Sequence, residues 1–362
     1  MTSENILDVN NLVVRRGKAI ILNIPEFYIQ AERSLALIGP NGTGKSTLLL
    51  TLAGLLPFSS GQLFFEGNPV CDRASLSHLR RNAAVVFQEP LLLNETVHQN
   101  VALGLKFRHV NSHEIKKRVE EALDYFGVTH LAVRSAKTLS GGEAKRVSLA
   151  RAFALKPRLI LLDEAFTSLD PPSKEAIIDD LRHILDETKI TAILALHDRE
   201  ETLRLAQNVA VMQNGRIVQF GATAQVFNRP NDEFVANFVG TESILEGLVQ
   251  NSAGGLMGIV VGGKLIEAAG SFPSGQKVYC CLRPEHITIS LACPGKTSAR
   301  NIFEAKIKKI IRQAFFYKVL LDCGFPLVAY ITVPSCDDLG ICEEATVTAS
   351  FKATSVHVIR RE

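Results

Sequence analysis

The chain of 362 residues carries 40 Lys and Arg against 37 Asp and Glu, and 46% of it is hydrophobic. That length suggests two or three domains, and the balanced charge argues against a basic nucleic-acid binder or an acidic disordered tail. The composition is that of a globular chain, and no apolar run approaches the ~18 residues of a membrane helix.

Met1-Thr2-Ser3-Glu4-Asn5 shows no basic stretch leading into an apolar core, so no signal peptide is expected. From about Ser34 to Val211 short apolar runs alternate with helical patterns. Leu35–Ile38, Ala83–Phe87, Leu159–Leu162 and Thr191–Leu196 read as buried parallel strands. Helices are expected over Lys45–Leu55, Ser112–Phe126, Gly142–Leu155, Ser173–Thr188 and Arg199–Leu205, punctuated by Pro157 and Pro171-Pro172. Val209–Val211 followed by Gln213–Val218 reads as a hairpin, because Asn214-Gly215 favours the positive φ of a type I′ turn.

After about Phe238 the pattern changes to period two. Phe303, Ala305 and Ile307 alternate with Glu304, Lys306 and Lys308. Val347, Ala349 and Phe351 alternate with Thr346, Thr348, Ser350 and Lys352. Half-buried strands and a small all-β, OB-like domain are expected there. Six of the seven Cys lie between Cys280 and Cys342, match no zinc spacing, and read as reduced thiols used as small apolar residues.

The chemistry concentrates in the first part. Gly39, Pro40, Asn41, Gly42, Thr43, Gly44, Lys45, Ser46 and Thr47 fit the phosphate-loop pattern, between an expected strand and an expected helix. The glycines let backbone N–H groups converge on phosphate oxygens, and the helix start adds positive potential. Lys45 can reach the outer phosphates of a nucleotide and Ser46 can ligate Mg²⁺. Leu159–Leu162 runs into Asp163 and Glu164 at a strand end, where open α/β sheets bind ligands. Asp163 would hold Mg²⁺ through water, and Glu164 would polarise the attacking water.

Further elements follow in order. Leu139-Ser140-Gly141-Gly142-Glu143 lies just upstream of Asp163; Gln88 stands in Val86-Phe87-Gln88-Glu89-Pro90; Ser168-Leu169-Asp170 and His197 come after. Together they resemble the ATP-binding cassette ATPases over about residues 5–236, with Glu143 where that family most often has Gln. The resemblance implies ATP and Mg²⁺ as cofactors and an α/β P-loop cassette, a mixed sheet with a helical subdomain. It makes Gln88 a Mg²⁺ ligand and catalytic residue beside Lys45, Glu164 and His197. It also implies a head-to-tail homodimer, in which Ser140, Gly141, Gly142 and Asp170 of one subunit face the nucleotide of the other. Physically, Ser140 and the N–H groups of Gly141 and Gly142 open a helix and offer a second anion cradle. The family usually places an aromatic residue against adenine near position 16; here the local sequence is Val13-Val14-Arg15-Arg16-Gly17, and Arg16, or Arg15, could stack its planar guanidinium there.

In importer cassettes the stretch after the glutamine receives a helix of the transmembrane permease. Leu91, Leu92, Leu93, Val97, Val101 and Leu103 suit such a groove and equally suit a subdomain core. Leu282-Arg283-Pro284-Glu285-His286 resembles a turn in the accessory domain of those cassettes. Ser298-Ala299-Arg300-Asn301 and the run Phe351–Ile359 resemble the molybdate-binding (Mop, or TOBE) domain. Such domains bind molybdate or tungstate at subunit contacts, and Ser298, Arg300, Lys352 and Thr354 are the candidates to hold the oxyanion. Thr346, Thr348, Ser350, Lys352 and Thr354 would share one strand face by parity. The alternative is a solvated face on a domain that merely dimerises.

The expected organisation is an ATPase domain over 1–236, a linker and first β segment over 237–295, and a Mop/TOBE-like β domain over 296–362. The expected function is the ATP-hydrolysing subunit of a molybdate or tungstate importer at the cytoplasmic face of the cell membrane. It would work with permease subunits and an extracytoplasmic solute-binding protein, and without nucleic acid. Other solutes (sulfate, iron, a polyamine or a sugar) remain open. An oxyanion-binding regulator or storage protein would need no hydrolytic machinery. Two-cassette ATPases of translation or DNA repair have a second cassette or a long coiled coil, and this chain shows neither.

Overall fold

A computed structural model describes residues 5–293 and 295–361. Met1–Glu4, part of the segment read against a signal peptide, lie outside the described residues. The chain divides into two compact units, one ending at Ala224 and one beginning at Gln225.

The first unit opens with β1 (Asn5–Arg16) and β2 (Ala19–Gln30), an antiparallel pair. There follow β3 (Ser34–Ile38), α1 (Lys45–Leu52), β4 (Ser60–Phe65), β5 (Asn68–Pro69), α2 (Arg73–Asn82) and β6 (Ala83–Val86). Next come α3 (Val97–Phe107), α4 (Ser112–Tyr125), α5 (Gly141–Phe153), β7 (Leu159–Asp163) and α6 (Pro171–Thr188). The unit closes with β8 (Thr191–Ala195), α7 (Arg199–Leu205), β9 (Asn208–Gln213) and β10 (Arg216–Ala222). The central sheet has the order β10-β9-β3-β8-β7-β6 and is parallel apart from β10. A second sheet, β2-β1-β4-β5, shares its core with it: Leu7, Leu22 and Phe65 pack in one cluster with Leu37, Leu161 and Ile193.

Runs such as Leu35-Ala36-Leu37-Ile38 and Leu159–Leu162 are buried throughout, as central parallel strands covered on both faces must be. α3, α4 and α5 pack on one another as the expected helical subdomain. The helix starts are set by side-chain caps. Thr96 and Ser140 each close a capping box, with Gln99 and Glu143, and Asn111, Asp170 and Asp198 cap α4, α6 and α7. Each such cap stabilises its helix by about 1 kcal/mol.

In the second unit α8 (Thr223–Asn228), which straddles the division, and α9 (Glu233–Phe238) precede β11 (Ser243–Ala253), β12 (Leu256–Val261), β13 (Lys264–Ala269) and β14 (Lys277–Leu282). They are followed by β15 (Thr288–Ser290), β16 (Asn301–Arg312), β17 (Phe316–Asp322), β18 (Pro326–Thr332), α10 (Val333–Leu339), β19 (Thr346–Phe351) and β20 (His357–Arg360). Two antiparallel five-stranded sheets form, β13-β12-β11-β14-β20 and β15-β19-β16-β17-β18. They enclose one core, in which Ile259 and Cys280 meet Ile307, Val319 and Val347.

Residues 237–295, read as a linker and first β segment, supply β11–β15 to the same core as 296–361, and Ala236 of α9 packs with Cys281 and Ile359. One expectation about this half changes. The strand expected to run through Thr354 stops at Phe351, because Ala353–Ser355 form a single 3₁₀ turn. Lys352 and Thr354 therefore leave the parity of Thr346 and Thr348, and Ser350 is buried. No helix among the described residues is long and apolar enough to cross a membrane.

Candidate functional site

β3 ends at Ile38, and the loop Gly39–Gly44 carries the chain into α1. Gly39 has φ +151° and its backbone lies against the Met212 carbonyl, where an added Cβ would come within 2.3 Å. Gly44, at φ +100°, is the N-cap of α1, and an added Cβ there would come within 2.6 Å of Leu22 Cδ2. Thr43 donates its hydroxyl to the Pro40 carbonyl at 2.9 Å, and the Lys45 ammonium donates to the carbonyls of Gly39 (2.8 Å) and Pro40 (3.1 Å). The loop is thus shaped by its own side chains, with N–H groups free to converge on an anion. Burial lowers the Lys45 pKa, and the carboxylates of Glu164 and Asp163 oppose that shift.

β7, the neighbour of β8, delivers Asp163 and Glu164. Ser46 Oγ donates to Asp163 Oδ1 at 2.8 Å, which joins the phosphate loop to the strand end. Burial pushes the Asp163 pKa up, and the Ser46 hydrogen bond partly offsets it. Glu164 stands in the left-handed region at φ +47°, as does Ser168 at +64°. Three hydrogen bonds hold that strained backbone: Glu164 N–H donates to the Ala195 carbonyl of β8, and the Thr167 N–H (3.3 Å) and hydroxyl (2.8 Å) both donate to the Glu164 carbonyl. Strain held this firmly is typical of working sites. His197, just past β8, brings Nε2 to 2.5 Å from Glu164 Oε1. A cavity of 250 Å³ beside these groups is lined by Ile21, Asn41, Gly42, Gly44, Lys45, Ser46, Thr47 and Glu164.

The other expected residues lie apart from that cavity's lining. Ser140 caps α5: its side chain accepts from Glu143 N–H, and its own N–H donates to Glu143 Oε2 at 2.7 Å. The unusual Glu143 is thus the second half of a capping box, and the Ser140 hydrogen bond lowers its pKa. Asp170 caps α6 through Ser173, Gln88 is exposed after β6, and Arg16 is exposed at the end of β1. In the second unit the Arg300 guanidinium is engaged by Glu267 at 2.8 and 3.2 Å. Thr354 lines a separate cavity of 610 Å³ with Arg283, His286 and His357, and neither Ser298, Arg300 nor Lys352 lines it. The four candidate oxyanion residues are therefore not gathered in that cavity.

Two supports were not legible as site residues. Gly215, in the hairpin turn, donates its N–H to the Thr43 carbonyl and accepts from Asn23 N–H. Ile21 lines the cavity from β2. The Asn-Gly turn was visible in sequence, but its contact with a loop 172 residues away was not.

The apolar candidates after Gln88 separate. Val97 and Val101 are fully buried in the helical subdomain, whereas Leu91 and Leu93 are exposed. Leu103 lines a 380 Å³ groove with Leu55, Ala84 and Phe107, and Phe107 is 75% exposed.

A loop and helix start shaped to receive polyphosphate, next to a carboxylate–imidazole pair that can address water, has the form of the nucleotide site of a P-loop ATPase. Residues 22–167 match the ABC transporter family and residues 297–358 the TOBE domain. The chain is 38% identical to the molybdate/tungstate import ATP-binding protein WtpC of Pyrococcus horikoshii, over 92% of this chain and 94% of that protein. It is 35% identical to the sulfate/thiosulfate import ATP-binding protein CysA 1 of Chromobacterium violaceum, over 78% of each. Among solved structures it resembles cbiO1 of Clostridium perfringens, part of the ABC transporter complex cbiONQ, with a TM-score of 0.59 and 32% identity over 66% of this chain and 96% of that one. The chain belongs to the ABC transporter ATP-binding family; it is an import-type ATPase with a C-terminal TOBE domain.

Proposed function

We propose that this ATPase drives the import of molybdate or tungstate. The observation that carries the reading is similarity to molybdate/tungstate import proteins over 92% of the chain, through the cassette and the β unit alike. Two copies work head to tail, each phosphate loop facing the Ser140–Gly142 helix start of the other, at the cytoplasmic face of the cell membrane. The permease subunits seat a helix in the groove lined by Leu55, Leu103 and Phe107, and an extracytoplasmic binding protein delivers the oxyanion.

The hard oxygens of Ser46 and Asp163, already paired at 2.8 Å, suit Mg²⁺, with Gln88 as a further ligand. When bound, that ion neutralises phosphate charge. Lys45 binds the outer phosphates, Arg16 stacks on the base, and Asp170 supports the dimer contact. Glu164 orients and deprotonates the attacking water, and His197 holds the Glu164 carboxylate in place. The β unit senses the oxyanion through Ser298, Arg300, Lys352 and Thr354. Because Arg300 is engaged by Glu267 within one chain, binding there requires that ion pair to open where two copies meet.

Deletion of the gene and measurement of tungstate, molybdate and sulfate uptake tests the reading. Loss of tungstate and molybdate uptake, restored by the wild-type chain and not by Glu164→Gln, is expected. Loss of sulfate uptake alone would replace the substrate by sulfate, the second reading, which the resemblance to a sulfate/thiosulfate import protein favours.

A further inference from the structure

Lys145, in the middle of α5, is 2% exposed. Its ammonium donates to two main-chain carbonyls, Phe87 at 3.1 Å and Gln88 at 2.6 Å. No carboxylate lies within ion-pair distance of it among the described residues. A buried cation without a counter-ion is costly, and an apolar side chain of similar volume would serve packing better. Six residues further along α5, Arg151 forks onto the carbonyls of Leu91 (2.8 Å) and Pro90 (2.7 Å). Leu91 is in the left-handed region at φ +47°, a conformation that is unfavourable for a residue with a Cβ.

Four of the five carbonyls from Phe87 to Leu91 are thus held by two cations of one helix. The exposed Gln88 side chain makes no hydrogen bond of its own among the described residues, so its direction is set by the main chain to which Lys145 is tied. That helix is the one that Ser140 caps. We propose that Lys145 and Arg151 are positioning residues that lock the Gln88 loop to the α5 helix, so that the group facing one nucleotide and the helix start facing the other move as one body. The inference rests on the roles proposed above for Gln88 and Ser140.

The test uses the full chain with Lys145→Met, Lys145→Gln, Arg151→Met and Gln88→Ala. Thermal unfolding, amide hydrogen exchange over residues 87–91, and kcat and KM for ATP are measured. For Lys145→Met we expect kcat to fall at least about tenfold with KM within about twofold of wild type, the signature of lost orientation rather than lost binding. The melting temperature should hold or rise, because a buried charge is removed. Amides of 87–91 should exchange at least about tenfold faster, and Lys145→Gln, which keeps two N–H donors, should recover most of kcat. Wild-type kcat and exchange in Lys145→Met would overturn the proposal, as would a kcat loss that only follows a loss of folded protein. Wild-type kcat in Gln88→Ala would remove the role of Gln88 instead, while the exchange data still decide whether the lock exists.

Discussion

His197 Nε2 lies 2.5 Å from Glu164 Oε1, although the two residues leave different strands. The contact aims a carboxylate whose backbone is itself strained at φ +47°. Replacing Glu164 by Gln keeps the shape and removes the proposed base. Turnover should fall by at least about 10²-fold, the usual contribution of general-base catalysis, while ATP binding persists. An ATP-dependent dimer should accumulate on gel filtration with light scattering. His197→Ala should lower kcat by a similar factor and leave ATP affinity unchanged.

Lys45 is aimed by two loop carbonyls and faces the cavity with Ser46 and Thr47. Lys45→Ala should weaken ATP binding by about 10- to 100-fold, the worth of a charge-assisted hydrogen bond. A fluorescent ATP analogue in equilibrium titration reads this directly. Affinity within twofold of wild type would exclude Lys45 from phosphate binding.

Gly215 has φ +74°, and a Cβ there would meet the Ile21 carbonyl at 2.2 Å. Its N–H also supports Thr43. Gly215→Ala should therefore destabilise the chain by about 1–3 kcal/mol, the cost of a strained backbone position. It should also weaken ATP binding. Gly17, equally left-handed but with open space around it, is the control, and Gly17→Ala should cost less. Urea unfolding of the two variants makes the comparison.

Burial pushes the thiols of Cys280, Cys281 and Cys323 up to about 12. Because the fold favours their neutral form, the stability they contribute is complete below their ordinary value near 9 and is lost as pH rises toward 12. At pH 8 the native chain should react promptly with a thiol reagent at the exposed Cys71, Cys293 and Cys342, and at all seven thiols only once unfolded. Fast native modification of Cys280 would contradict the packing of the second unit.

Much of the site was legible because its parts are local. The phosphate loop, the strand ending in Asp163-Glu164 and the capped start of α5 are each a short run of residues whose chemistry reads at fixed spacing. What failed were inferences that need the rest of the fold. Parity carried Thr346 through Thr354 only as long as the strand lasted, and a 3₁₀ turn at Ala353 ended it. The Ser298–Asn301 resemblance made Arg300 a ligand candidate, but its ion pair with Glu267, 33 residues earlier, could not be read there. Hydrophobicity could not separate Val97 and Val101 from Leu91 and Leu93, since only packing decides which apolar residue faces inward. The tie from Lys145 to Gln88 was equally hidden, as a lysine in a helical pattern reads as a solvated charge.

The Thr43–Gly215 hydrogen bond and the Ser46–Asp163 bond close the phosphate loop with chain that is made long after it. On a ribosome the loop sequence therefore emerges first and waits. It acquires its final supports only when the hairpin of β9 and β10 has left the exit tunnel and docked beside β3. A chain stopped before residue 215 would leave the loop without that closing support.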